Sequence, residues 1–210
     1  MDLNIVLIVI IAINAIVSFK GFNDISFFRK YEFHVGSIRA GEQYRMITSA
    51  FLHADITHLG LNMFTLYMFA PGVIWELGVF GFLLVYIISL AAGSLLTLYF
   101  HKNDYWYRAI GASGAVMGVL FSGILLEPDM TINFFIPGYL FGIGYLLFSI
   151  YGMKAKNDNI GHVAHFGGAI GGYAVTLCQM PQIIYEDTLV VILVAVPIIV
   201  LFIMAKMGKL

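Results

Sequence analysis

The chain has 210 residues, 60% of them apolar and 11% charged, with a formal net charge of −1 and a mean hydropathy of +0.91. That composition excludes a water-soluble domain of this size, and the lack of any basic stripe interleaved with aromatics excludes nucleic acid as a partner. A single cysteine, Cys178, excludes an intrachain disulfide framework and a cysteine-based metal site.

Seven segments come close to the roughly 20 apolar residues that a bilayer crossing needs: 3–19, 55–75, 81–101, 113–127, 133–152, 161–178 and 188–206. Backbone polar groups in hydrocarbon require internal partners, so these segments are expected to be helices, and none shows the alternation of a barrel strand. The expected fold is all-α, a polytopic membrane helix bundle forming one integral membrane domain over 1–210, multi-pass in the cell's inner or plasma membrane. The first run begins directly after Asp2, with neither a basic leader nor small residues at a cleavage distance, and reads as a retained helix. Residues 20–54 then mix Arg29, Lys30, Glu32 and Arg39 with Phe22, Phe27, Phe28, Tyr31 and Phe33, the pattern of a structured segment on the membrane surface. In this layout all 11 Lys and Arg residues fall on one side, while the opposite loops carry only acidic charge. The positive-inside tendency puts the basic side in the cytoplasm.

Polar groups within hydrocarbon are costly unless partnered, which makes those in these segments informative. His58 and Asn62, four apart on the second segment, share one helical face one turn apart, with His53 upstream. Such a pair of donors serves either a developing oxyanion or a polar contact between helices. The fourth segment opens with Gly111-Ala112-Ser113-Gly114, where Ser113 is either a helix cap or a nucleophile. On the sixth, Gly161, His165, Gly168 and Gly172 fall at intervals of four, three and four, a smooth stripe with an imidazole near its head. If that stripe packs on the helix beginning at Ser113, His165 reaches the hydroxyl as a general base. His162, one turn earlier, is the rival for that role. Four histidines in two regions also raise a metal or haem site. Neither cluster contains the helical carboxylate of a zinc hydrolase, and a haem leaves Ser113 and Asn62 without a role, so no metal and no cofactor are expected.

Taken together, these motifs resemble the rhomboid family of intramembrane serine proteases, over residues of about 40 to 178. His58-x-x-x-Asn62, with His53 upstream, is similar to the family's second-helix pattern; Gly111-x-Ser113-Gly114 is similar to its fourth; Ala164-His165-x-x-Gly168-x-x-x-Gly172 is similar to its sixth. The resemblance implies a six-helix core within about 1–178 and an added helix at 188–206, which puts the termini on opposite faces. It implies a catalytic dyad without aspartate, Ser113 as nucleophile and His165 as general base. His58, Asn62 and backbone N–H groups near Ser113 would form the oxyanion site, supported by His53, Gly111, Gly114, Gly168, Gly172 and His162. The implied partners are membrane lipid and single-pass transmembrane substrates whose helix unwinds near small or helix-breaking residues. The implied active site opens on the extracytoplasmic face, against the charge bias. A non-catalytic member of the same fold that binds membrane clients is the alternative, and a haem-binding membrane protein a further one. Tyr44-Arg45 stands where the family usually shows Trp-Arg, and Ile74 where it often shows an acidic residue, Glu76 being the nearest carboxylate. Met117, four residues after Ser113, replaces the aromatic that often supports the imidazole and is expected to leave its orientation to softer packing.

Overall fold

A computed structural model describes residues 4–132, 135–155 and 160–209. Helix α1 (Ile5–Asn23) starts where the Asn4 side chain accepts the Val6 N–H, and it ends at Asp24, which in turn caps α2 (Ile25–Tyr31) through the Phe27 N–H. The surface segment continues through β1 (Phe33–His34), α3 (Val35–Arg39), α4 (Arg45–Thr48) and a 3₁₀ turn at Ser49–Phe51. Asp55 then accepts the His58 N–H at 2.7 Å and opens α5 (Ile56–Phe100). After it come β2 (Arg108–Ala109), α6 (Ser113–Leu126), β3 (Thr131–Ile132), β4 (Ile136–Pro137), α7 (Gly138–Ala155), α8 (His162–Gln179), α9 (Ile183–Glu186) and α10 (Thr188–Lys206).

The expected segments 55–75 and 81–101 have no loop between them. Helical hydrogen bonding runs on past Glu76, and the chain reverses at Gly78 alone, with φ 70° and ψ 173°, a region open in practice only to glycine. His58 near the start of α5 and Gly93 in its second half therefore both lie beside the first turn of α6. The first span runs on to Asn23 rather than ending at 19, since Lys20 in the last turn complements the negative end of the helix dipole. The fifth begins at Gly138. The expected starts at residues 3 and 133, and Lys156 among the cations, lie outside the described residues.

Helices α1, α5 and α10 have the length and apolarity of membrane spans, and their outward faces carry Ile, Leu, Val and Phe. Nearly every residue of α6 is buried. Its 14 residues rise only about 21 Å at 1.5 Å per residue, less than the roughly 30 Å of hydrocarbon. The segment that precedes it, 101–112, leads directly into Ser113 at its first turn. Strand pairing and a buried carboxylate help to hold that segment. Strand β2 pairs antiparallel with β1, Phe33 opposite Ala109 and His34 opposite Arg108. Glu32, 2% exposed, takes Arg29 at 3.1 Å and also pairs with Arg108. Arg45 ties the same corner by donating to the carbonyls of Arg29 and Glu32 and to the Glu42 carboxylate.

Helix α8 is wedged between α6 and the second half of α5. Gly168 and Gly172 lie directly on the backbone of Gly114 and Gly118, the stripe expected from the sequence. A second stripe, Gly167 and Gly171, faces α5, where an added Cβ would sit 2.7 Å from the Ala92 carbonyl and 2.8 Å from Ser89 Cα. Lipid tails are as apolar as leucine, so close backbone approach and dispersion supply the association that hydrophobic burial supplies in water.

Candidate active site

Ser113 is the first residue of α6 and Ala112 the residue before it, with no side-chain cap at this helix start. The Ser113 hydroxyl is thus not spent on its own backbone, and His165 Nε2 lies 2.6 Å from its oxygen. The approach follows from the glycine contacts: Gly114, next to Ser113, faces the carbonyl of Ala164, next to His165. His162 does not share this position. It is buried with its ring against Gly152 and Phe148 of α7, at a centroid distance of 5.2 Å from the latter.

Gly111 adopts φ +116°, and its N–H is held by the Ser49 carbonyl at 3.0 Å. A side chain there meets a second obstacle, since a Cβ would lie 2.9 Å from the His58 ring. The Ala54 N–H donates to His58 Nδ1 at 3.3 Å. That bond puts the proton of the neutral ring on Nε2, the edge facing Gly111. Asn62 is buried one turn on, and one of its two amide hydrogens goes to the His58 carbonyl at 2.9 Å. A small cavity beside Ser113 is lined by Ser49, Gly93, Ser94, Thr97, Gly111 and Ala164.

His53 is fully buried behind this site, its ring edge-on to His58 at 4.9 Å. Its two nitrogens join three segments. Ser18 of α1 donates to the Phe51 carbonyl at 3.0 Å, so its oxygen accepts the proton of His53 Nδ1 at 2.8 Å, while Nε2 faces the Ala112 N–H at 3.5 Å. This arrangement needs a neutral imidazole, and burial, with a smaller contribution from His58, lowers the His53 pKa from 6.5 to about 4. Between pH 6.5 and 4 the unfolded chain binds a proton at this residue that the folded chain refuses. Stability supplied by His53 is therefore present above pH 6.5 and is lost as the pH falls through that window. The thermal unfolding midpoint is expected to drop from pH 7 to pH 4, and to drop less in His53→Gln. Equal drops in the two proteins would contradict this role.

Two residues at the site were not singled out by their sequence. Ser18 offered one signal, a hydroxyl on a spanning helix. Tyr145, one of 12 tyrosines, offered none, yet its hydroxyl lies 2.6 Å from His165 Nδ1. The imidazole is thus not left to the soft packing expected from Met117, because α7 supplies a directed partner.

The family model of the Rhomboid domain matches residues 40–182. The chain belongs to the rhomboid family. It is 30% identical over 188 residues to RHOMBOID-like protein 12, mitochondrial, of Arabidopsis thaliana, a match taking in 80% of this chain and 56% of that protein. It is 36% identical over 147 residues to the Putative rhomboid protease YdcA of Bacillus subtilis (strain 168), covering 66% of this chain and 68% of that one. Rhomboid protease GluP of the same organism is 31% identical over 137 residues, 65% of this chain and 26% of the relative. The chain thus spans little more than half of the Arabidopsis relative. Rhomboid membership and the apolar helices make this an integral, multi-pass membrane protein with a helical bundle fold.

Proposed function

We infer that this rhomboid chain is a serine-type intramembrane endopeptidase acting on single-pass transmembrane proteins, its helices forming one domain with α10 appended to the core. The observation that carries the reading is the 2.6 Å approach of Ser113 Oγ and His165 Nε2 inside a helical membrane bundle. The Ser113 oxygen attacks the scissile carbonyl carbon as its proton passes to His165 Nε2, and the carbonyl π electrons move to oxygen. Donors for that oxyanion come from α5 and from the start of α6. They are His58 Nε2–H, the Asn62 amide, and the first N–H groups of α6, which have no acceptor within the helix. The C–N bond then breaks, the proton on Nε2 moves to the leaving amine, and a water activated by His165 hydrolyses the acyl-enzyme. The hydroxyl-lined cavity beside Ser113 supports a supply of that water.

A peptide carbonyl in an intact helix is hydrogen-bonded and shielded, so the substrate must unwind locally, which small or helix-breaking residues make easier. The cut falls in the half of the membrane that borders the 20–55 segment, because Ser113 begins α6 at that end. Proteoliposomes holding the wild-type chain are expected to cleave a single-pass reporter whose helix carries Gly and Ala near that face, and His165→Ala proteoliposomes are not. Unchanged cleavage by His165→Ala would contradict the mechanism, and intact reporter with both would favour a non-catalytic binder of membrane clients.

A further inference from the structure

A serine–histidine pair works only if the imidazole offers Nε2 as an acceptor, which requires the proton on Nδ1. Helices α6, α7 and α8 contain no Asp or Glu. The group that meets His165 Nδ1 is the hydroxyl of Tyr145, at 2.6 Å. Its position is built rather than incidental. One turn before it, Gly142 brings α7 onto α6, where an added Cβ would lie 3.1 Å from Ile124 Cδ1 and 3.2 Å from the Phe121 ring. Two turns after it, Gly152 receives the His162 ring of α8. On the same helix Phe141, one turn before Tyr145, stacks on its ring, 6.2 Å apart and inclined by 22°.

We propose that Tyr145 is the positioning residue for His165, its phenol oxygen accepting the Nδ1–H and so presenting Nε2 to Ser113. The proposal rests on the reading of Ser113 and His165 as nucleophile and base. With Nδ1–H on the phenol, the Ser113 proton can leave only towards Nε2, and the imidazolium that forms keeps both of its hydrogens bonded. The opposite tautomer would have Nε2–H donating to Ser113 Oγ, which leaves the serine inactive. A neutral phenol does this at membrane depth without the cost of burying a carboxylate. It also replaces, from a different helix, the aromatic support that Met117 does not provide.

The test compares wild type, Tyr145→Phe and Ser113→Ala, each as the full chain in lipid. Two readouts are taken: the rate at which a fluorophosphonate probe labels Ser113, and kcat and KM for a single-pass reporter. Labelling needs the activated hydroxyl but no docking of a substrate helix. Tyr145→Phe keeps the ring and is expected to slow labelling and lower kcat alike, by roughly 10- to 100-fold, the range for a hydrogen bond to a charged group, with KM unchanged. Wild-type labelling and kcat with an altered KM would overturn the proposal and assign Tyr145 to packing alone. A second measurement stands if the variant does not fold: ¹⁵N-histidine spectra of the wild type, assigned by loss of signal in His165→Ala, are expected to show Nδ1 protonated and Nε2 not. The reverse tautomer overturns the proposal. A wild-type protein that is not labelled at all removes the protease reading, and the tautomer measurement then still decides whether Tyr145 holds the ring.

Discussion

Ser113→Ala is expected to lower cleavage of a transmembrane reporter by roughly 10⁴-fold or more, the scale seen when a nucleophile that acts as a unit with its base is removed. The same substitution should move the thermal unfolding midpoint by no more than a few degrees. Both halves of this expectation come from one local fact. The Ser113 side chain does not cap α6, and among the described residues its hydrogen bond runs to His165. A net contribution of about 1 kcal/mol is the usual value for such a bond, whereas the packing of α6 is carried by Gly114, Gly118 and the apolar residues beyond them. Reporter cleavage measured beside thermal unfolding separates the two. A large loss of stability together with activity would assign Ser113 to the fold, and retained cleavage would remove it from the chemistry.

Gly168→Val has the opposite profile, with fold and activity failing together. The Cβ of any residue at 168 runs into the backbone of Gly114, and a backbone, unlike the end of a flexible side chain, cannot give way. Helices α6 and α8 must then separate, at the upper end of the 1–3 kcal/mol typical of overpacking or beyond it. His165 lies one turn from Gly168 on the same stripe, so the separation also pulls Nε2 from Ser113. Gly60→Ala is the matched control, since a Cβ there meets nothing within 4 Å, and alanine is favoured over glycine within a helix. Unfolding curves of the two variants in the same lipid decide the matter. If Gly168→Val unfolds like the wild type, the glycine contacts do not hold the helices together.

What the sequence made legible follows the strength of its local signals. The spans were legible because a bilayer demands long apolar runs, and the meeting of Ser113 with His165 because glycines at 168 and 172 mark a smooth face beside an imidazole. A reversal between 55–75 and 81–101 was legible, but not that it would have no loop, since an α-helical pattern continues on both sides and Gly78 alone absorbs the turn. Nor was the second stripe, because Gly167 and Gly171 adjoin the first and only the position of α5 makes them a separate face. His53 stood out with His58, but its partners did not: Ser18 lies 35 residues earlier and the Ala112 N–H 59 residues later. Tyr145 is the extreme case. Its segment is dominated by apolar, aromatic and glycine residues, and the bond to His165 depends on the docking of α7 on its neighbours, which are in close contact at Gly142 and Gly152.

The central claim is that a serine oxygen inside this bundle is made nucleophilic by an imidazole from another helix. Treating the chain in lipid with a fluorophosphonate probe and mapping the adduct by peptide mass spectrometry tests it most directly. The account predicts one adduct, on Ser113, absent from His165→Ala. No adduct on Ser113, or equal labelling of Ser113 in the absence of His165, would contradict it.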